Sequence, residues 1–236
     1  MLLPYKDDNP ISTIPVATVF LVAVNVMIFL YFRLDVAPTA KEFAAVVMNL
    51  GVIPALFFTS PHHHHVVKLT QAVPPPFTLL TAMFMHGGFL HLGGNMLYLW
   101  IFGNNVEDYL GHIRFLIFYL LVGVLASLTY MVTNPFSMMP MVGASGAIAG
   151  VLGAYFILFP RARVHVLLFL IIFFTTIEVP AIIVLGIWII AQIMDGMADL
   201  GREGGGIAWF AHIGGFFSGI IMLKLIPRRR GWRRRV

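Results

Sequence analysis

Residues 143–159 read Gly143-Ala144-Ser145-Gly146-Ala147-Ile148-Ala149-Gly150-Val151-Leu152-Gly153-Ala154-Tyr155-Phe156-Ile157-Leu158-Phe159. From Ser145 onward the stretch carries no charge and no proline, which predicts a helix over about residues 145–159. Asn134-Pro135 and Pro140 mark a turn-rich segment before it. About 15 residues at 1.5 Å each cover only about 22 Å, less than the roughly 30 Å of a bilayer's hydrocarbon layer. Such a helix must end inside the membrane, against protein or a water-filled cavity. Its glycines, Gly146, Gly150 and Gly153, suit close approach to another helix.

The rest of the chain supports that setting. Of 236 residues, 59% are hydrophobic and 11% are charged. A soluble domain carries about a quarter charged residues, so this chain lacks the polar surface to coat a water-soluble globule. There is no cysteine, which excludes disulfides, thiolate metal sites and a cysteine nucleophile. The first apolar run, residues 13–32, has a spanning length rather than that of a cleaved signal, so it is expected to be retained.

Working outward from residues 145–159, further spans are predicted at 89–109, 112–132, 179–197 and 206–226. Residues 33–88 are broken by Pro54, His62-His63-His64-His65 and Pro74-Pro75-Pro76, and read as a long loop with short amphipathic pieces at the interface. The apolar stretch 164–177 is short for a crossing and is placed at the membrane face. The expectation is an all-α membrane protein: a six-helix transmembrane bundle with a long first extracytoplasmic loop and a short, partly submerged fourth helix. It divides into an N-terminal segment 1–12, a membrane domain 13–226 and a basic tail 227–236. Six crossings gather Lys6, Arg114, Arg161, Arg163, Lys224 and the six tail arginines on one side. The positive-inside rule makes that side, with both termini, cytoplasmic. The tail reads as a topology anchor, so no nucleic-acid partner is expected.

Polar side chains inside apolar spans cost free energy and need a reason. Four stand out: His91, Asn95, Ser145 and His212. Singly, each has an ordinary explanation as a small-residue contact or an inter-helix hydrogen bond. The weave changes this. The second, fourth and sixth helices all enter from the outer side, which brings the four groups to one depth. A serine hydroxyl attacks only when a neighbouring base takes its proton, and a neutral imidazole is the usual base. Ser145 at a helix head also has free backbone N–H groups beside it. His91 and Asn95, four apart, share a helix face and can direct donors at an oxyanion. No Asp or Glu lies in the outer halves of these three helices, so a dyad is expected, without metal or cofactor. Gly204-Gly205-Gly206, before the last helix, is expected to form a mobile cap.

At these residues the sequence resembles the rhomboid family of intramembrane serine proteases, of bacterial type. The likeness runs over residues 77–223 and rests on an ordered set. Thr81-Ala82-Met83-Phe84-Met85-His86-Gly87-Gly88 is followed by His91 and Asn95, then Gly143-Ala144-Ser145-Gly146, then Ala211-His212-Ile213-Gly214-Gly215 with Gly219. The resemblance implies that Ser145 is the nucleophile, His212 the base, and His91 and Asn95 the oxyanion pair. It further implies a structural or water-retaining role for His86, a packing face at Gly215 and Gly219, and a structural role for Glu107. Transmembrane proteins in the bilayer of a bacterial plasma membrane are the implied substrates, cleaved near its outer face. Two positions depart from the family pattern. Phe77-Thr78 stands where Trp-Arg is common, and Ala149 stands where an aromatic residue often stacks on the base. Rival readings are a non-catalytic member that binds membrane clients, a metalloprotease using His86, His91 and His212, and a transporter using buried histidines as a proton relay, for which only Glu178 with Pro180 hints at the required carboxylate and broken helix.

Overall fold

Apolar side chains fill the interior and also cover much of the outside, while several polar ones turn inward, unlike a soluble bundle. Thr18, Asn25, Asn95, Asn105, Glu107, Asp108, Ser127 and Gln192 are buried, while Phe20, Met27, Ile117, Leu121, Ile187, Ile190 and Ile221 are exposed. That distribution suits a hydrocarbon solvent, in which each polar group needs an internal partner. The computed structural model describes residues 2–58, 72–170, 173–199 and 208–232. The His62–His65 run, Gly204-Gly205-Gly206 with its expected cap role, and Arg233, Arg234 and Arg235 of the tail lie outside the described residues.

The elements in chain order are β1 Leu2–Asp7, α1 Val16–Leu30, α2 Ala40–Leu50, α3 Ala55–Phe58, α4 Pro75–Thr81, α5 Phe89–Leu110, α6 His112–Thr133, α7 Ser145–Leu158, β2 Arg163–Leu170, β3 Phe173–Pro180, α8 Ala181–Ala198 and α9 Trp209–Leu225. The protein is mostly helical. Among the described residues, three segments are long and apolar enough to cross a bilayer: Val16–Val36, which continues α1, then α6 and α8. Helix α5 has 22 residues but carries Asn95, Asn104, Asn105, Glu107 and Asp108. Helix α7, at 14 residues, is short, as its sequence predicts, and ten of its residues are buried. It is the central post of the bundle.

The expectation of an all-α chain needs correction. Arg163–Leu170 and Phe173–Pro180, rich in Val, Ile, Phe and Thr, are β-strands, and Leu2–Asp7 adds a third in the order β1-β2-β3. Strand β2 pairs antiparallel with β3 from Arg163↔Pro180 to Leu170↔Phe173. Strand β1 pairs antiparallel with β2 from Leu2↔Leu168 to Asp7↔Val164. The physical reason is backbone satisfaction. A short apolar segment of β-branched and aromatic residues cannot cross the membrane, and pairing gives its N–H and C=O groups partners. The described part of the long loop also carries regular structure: Thr39 caps α2 through a reciprocal bond with Glu42.

Several contacts tie one end of the bundle together. Glu107, fully buried at the end of α5, accepts from Ala17 N at 2.8 Å, Thr18 N at 2.7 Å and Thr18 Oγ1 at 2.7 Å. It therefore caps the first turn of α1, whose N–H groups have no partner within the helix. Asp108 accepts from Ser12, Thr13 and Arg229, and Trp232 stacks edge-on with Tyr109. The segment 1–12 and the start of the tail are thus both packed on the helix ends.

Asp7 completes this end. Its carboxylate accepts from the hydroxyl of Tyr155, on α7, and from Asn105 Nδ2 at 3.1 Å. Burial pushes the Asp7 carboxyl up from 3.8 to about 6, with the Tyr155 hydrogen bond acting in the opposite direction. A folded-state pKa above the unfolded one stabilises most below pH 3.8 and loses that contribution as pH rises through about 6. Thermal unfolding in detergent is therefore expected to show a lower Tm at pH 7.5 than at pH 5. Asp7→Asn should flatten that difference; an unchanged difference overturns the assignment to Asp7.

Candidate active site

The interface of α7 and α9 is built on missing side chains. A Cβ on Gly215 would lie 2.1 Å from Gly146 O, and one on Gly219 would lie 2.1 Å from Gly150 O. The two helices therefore touch backbone to backbone, which only glycine allows at those points. This close seam sets the distance between their N-terminal ends. His212 sits in the first turn of α9 and Ser145 is the first residue of α7. Ser145 Oγ and His212 Nε2 are 2.8 Å apart, within hydrogen-bond reach.

Helix α5 adds the other two predicted residues. The backbone N–H of Gly87 donates to His91 Nδ1 at 3.3 Å. Since Nδ1 accepts, a neutral His91 ring carries its proton on Nε2. Nε2 faces the Ser145 loop: a Cβ on Gly143 would lie 2.7 Å from it and 3.6 Å from Ser145 Oγ. Gly143 also has φ of +128°, so both its backbone and its neighbours require glycine. One helical turn on, Asn95 is buried and its Nδ2 has no hydrogen-bond partner among the described residues. A buried amide donor left unpaired is costly and calls for an acceptor. A cavity of about 600 Å³ holds all four groups, with Tyr98 and Met141 on its wall.

The long first loop braces this cavity. Val52 and Met141 exchange backbone hydrogen bonds of 3.0 and 2.8 Å, and Gly143 N donates to Ala82 O at 2.9 Å. Thr81 Oγ1 donates to Leu50 O at 2.7 Å. At the departure Phe77-Thr78, Phe77 is exposed, and Thr78 is buried with its hydroxyl donating to Pro75 O at 2.6 Å. The loop is anchored through Thr81 and Val52 instead. His86 is fully buried, its ring edge-on to His91 with centroids 5.2 Å apart.

Two neighbours of His212 escape the sequence reading. Both lie on α8. Gln192 Oε1 is 2.6 Å from His212 Nδ1, and the Trp188 ring lies 5.9 Å from the imidazole at 37°. Trp188 supplies a flat wall where Ala149 offers none. Gln192 was detectable: it is the one strongly polar side chain in the otherwise apolar run from Ala181 to Met194.

The rival readings find no comparable geometry. Among the described residues, the group with metal-ligand spacing is Asp8, His165 and Glu178, on the sheet rather than on the helices that carry Ser145 and His212. Arg163 already pairs with Glu178 at 2.6 Å, and Lys6 with Asp8 at 3.5 Å. His86, His91 and His212 do not form such a group. Glu178, the transporter candidate, is therefore an ion-paired strand residue.

Comparison with known proteins yields a consistent picture. The family model of the Rhomboid domain matches residues 75–229. Rhomboid protein 1, mitochondrial, of Saccharomyces cerevisiae is 32% identical over 155 residues, covering 63% of this chain and 41% of the relative. Rhomboid protease GluP of Bacillus subtilis is 46% identical over 76 residues, covering 32% of this chain and 14% of the relative. Putative rhomboid protease YdcA of Bacillus subtilis is 33% identical over 117 residues, covering 46% of this chain and 58% of the relative. The chain thus spans less than two thirds of each of these relatives.

Proposed function

The chain belongs to the rhomboid family, and on that premise we propose that it is an intramembrane serine endopeptidase with Ser145 as nucleophile and His212 as base. It is an integral membrane protein of a family that includes intramembrane proteases. The observation that carries the proposal is the 2.8 Å contact between Ser145 Oγ and His212 Nε2 inside an otherwise apolar bundle.

Each group has a defined task. His212 Nε2 takes the Ser145 proton as Oγ attacks the scissile carbonyl, forming a tetrahedral oxyanion. The Ser145 backbone N–H, His91 Nε2–H and Asn95 Nδ2–H donate to that oxyanion, and the α7 N-terminus adds its positive end. His212 then passes its proton to the leaving amine, and the acyl-enzyme ester remains. A water, deprotonated by the same Nε2, hydrolyses the ester and restores Ser145. The substrate is a transmembrane protein whose chain unwinds into the cavity.

Six helices thread the bilayer: α1, α5, α6, α8 and α9, with the shorter α7 partly submerged among them. The ties joining β1, the ends of α5 and α7, the sheet and the start of the tail at one end support this weave, because an even number of crossings separates them. That end, with its arginines, faces the cytoplasm of a bacterial cell, and the catalytic groups lie near the outer face.

Exposure of the purified protein to a fluorophosphonate, with mass mapping of the adduct, tests the reading. The label is expected on Ser145 and absent from Ser145→Ala, which should remain folded because the change removes one oxygen. Labelling of another serine, or none in the folded protein, overturns it in favour of a non-catalytic rhomboid-like protein that binds membrane clients.

A further inference from the structure

We infer that Gln192 is a positioning residue for His212, forming with Ser145 and His212 a Ser-His-Gln relay in which a neutral amide takes the place of a carboxylate. This rests on the proposed protease reading and deepens it.

The hydrogen-bond inventory carries the argument. A neutral imidazole has one N–H and one lone pair. Nε2 can take the serine proton only if its lone pair is free, so the ring proton must reside on Nδ1. A buried Nδ1–H needs an acceptor. Gln192 Oε1 is 2.6 Å away and only 8% of Gln192 is exposed. The opposite amide orientation would aim N–H at Nδ1, force the proton onto Nε2 and disable the base. The Nδ1–H tautomer with Oε1 facing it is thus the arrangement that satisfies both the amide and the serine.

Helix α8 holds the ring in a second way. Trp188 and Gln192 are four apart and share one helix face. The indole flanks the imidazole at 5.9 Å while the amide fixes its edge. One face of α8 therefore sets both ring plane and tautomer. No acidic side chain is hydrogen-bonded to His212 among the described residues. A carboxamide orients the ring without placing a further charge in the apolar core, where a charge is costly.

The test compares Gln192→Met, Gln192→Leu and Gln192→Glu in the full chain, purified in detergent. Four quantities are read for each: Tm, the rate of fluorophosphonate labelling at Ser145, and kcat and KM on a model transmembrane substrate. A carboxylate in this role is worth about 10⁴ in kcat; an amide that fixes the tautomer without charge is expected to be worth about 10–100-fold. Met and Leu, which lack the acceptor, should lower kcat and labelling by that factor with KM within about twofold. Glu, which keeps an acceptor at the same reach, should restore kcat to within about fivefold of the parent. Met fills nearly the volume of Gln, so it keeps the comparison usable if Leu fails to fold. Full labelling and kcat in folded Gln192→Met overturns the inference, as does an equal loss in Met and Glu at unchanged Tm. If the parent protein neither labels nor cleaves, the protease reading itself falls and takes this inference with it.

Discussion

His212→Ala leaves essentially no cleavage of a transmembrane substrate, whereas Asn95→Ala retains about 1–10% of the parent rate. The contrast follows from what each side chain can be replaced by. Nothing else within hydrogen-bond reach of Ser145 Oγ is a base: the described hydroxyl bond is to His212 Nε2 alone. Without it the hydroxyl keeps its proton in an apolar site that disfavours an alkoxide. Asn95, by comparison, shares its task with His91 Nε2–H and the Ser145 backbone N–H. Removing one oxyanion donor costs about 10²–10³ in rate when it acts unaided, and less when neighbours take up the load.

Initial rates for both variants in one detergent check this. If folded Asn95→Ala is as inactive as His212→Ala, Asn95 holds the Ser145–His212 geometry and its unpaired Nδ2 has another meaning. Near-normal activity of His212→Ala would sink the protease reading.

The site was legible in the sequence to the extent that its groups lie on long, strongly patterned helices. Ser145, His212, His91 and Asn95 were each exposed by one physical rule, that a polar group in an apolar span needs a reason. The same rule applies to Gln192, whose neutral amide is a less familiar orienting group for a histidine than a carboxylate. The sheet was harder. Strand β2 is mostly apolar and its partner β1 lies more than 150 residues earlier, so local periodicity carries no trace of that pairing. Asp7 was equally hidden. Its burial depends on Tyr155 and Asn105 meeting it from two helices, a tertiary fact. The role of Thr81 in anchoring the long loop was obscured for a related reason, since its acceptor is a backbone carbonyl 31 residues away.

The glycine seam gives the second large effect. Gly219→Ala adds a Cβ that would lie 2.1 Å from Gly150 O and 2.5 Å from Gly150 Cα. Both obstacles are backbone, so no side chain can swing away; α9 must shift from α7. A shift of about 1.3 Å or more is needed to restore ordinary contact, and overpacking of this kind costs roughly 1–3 kcal/mol. His212 lies two turns toward the N-terminus on the same stretch of α9, so the shift is transmitted along a rigid helix to Nε2. A displacement of about 1 Å at a reacting group can cost about 10²-fold in rate. Gly219→Ala should therefore lower Tm and reduce cleavage by about that factor. Gly186→Ala on α8 is the control, because its added Cβ meets only Phe156 Cε2, at 3.9 Å. Its Tm and activity should match the parent. If Gly219→Ala also matches the parent in both, the backbone contact between α7 and α9 does not set the Ser145–His212 distance, and the short helix must be held in place by its other neighbours, α5 and α6.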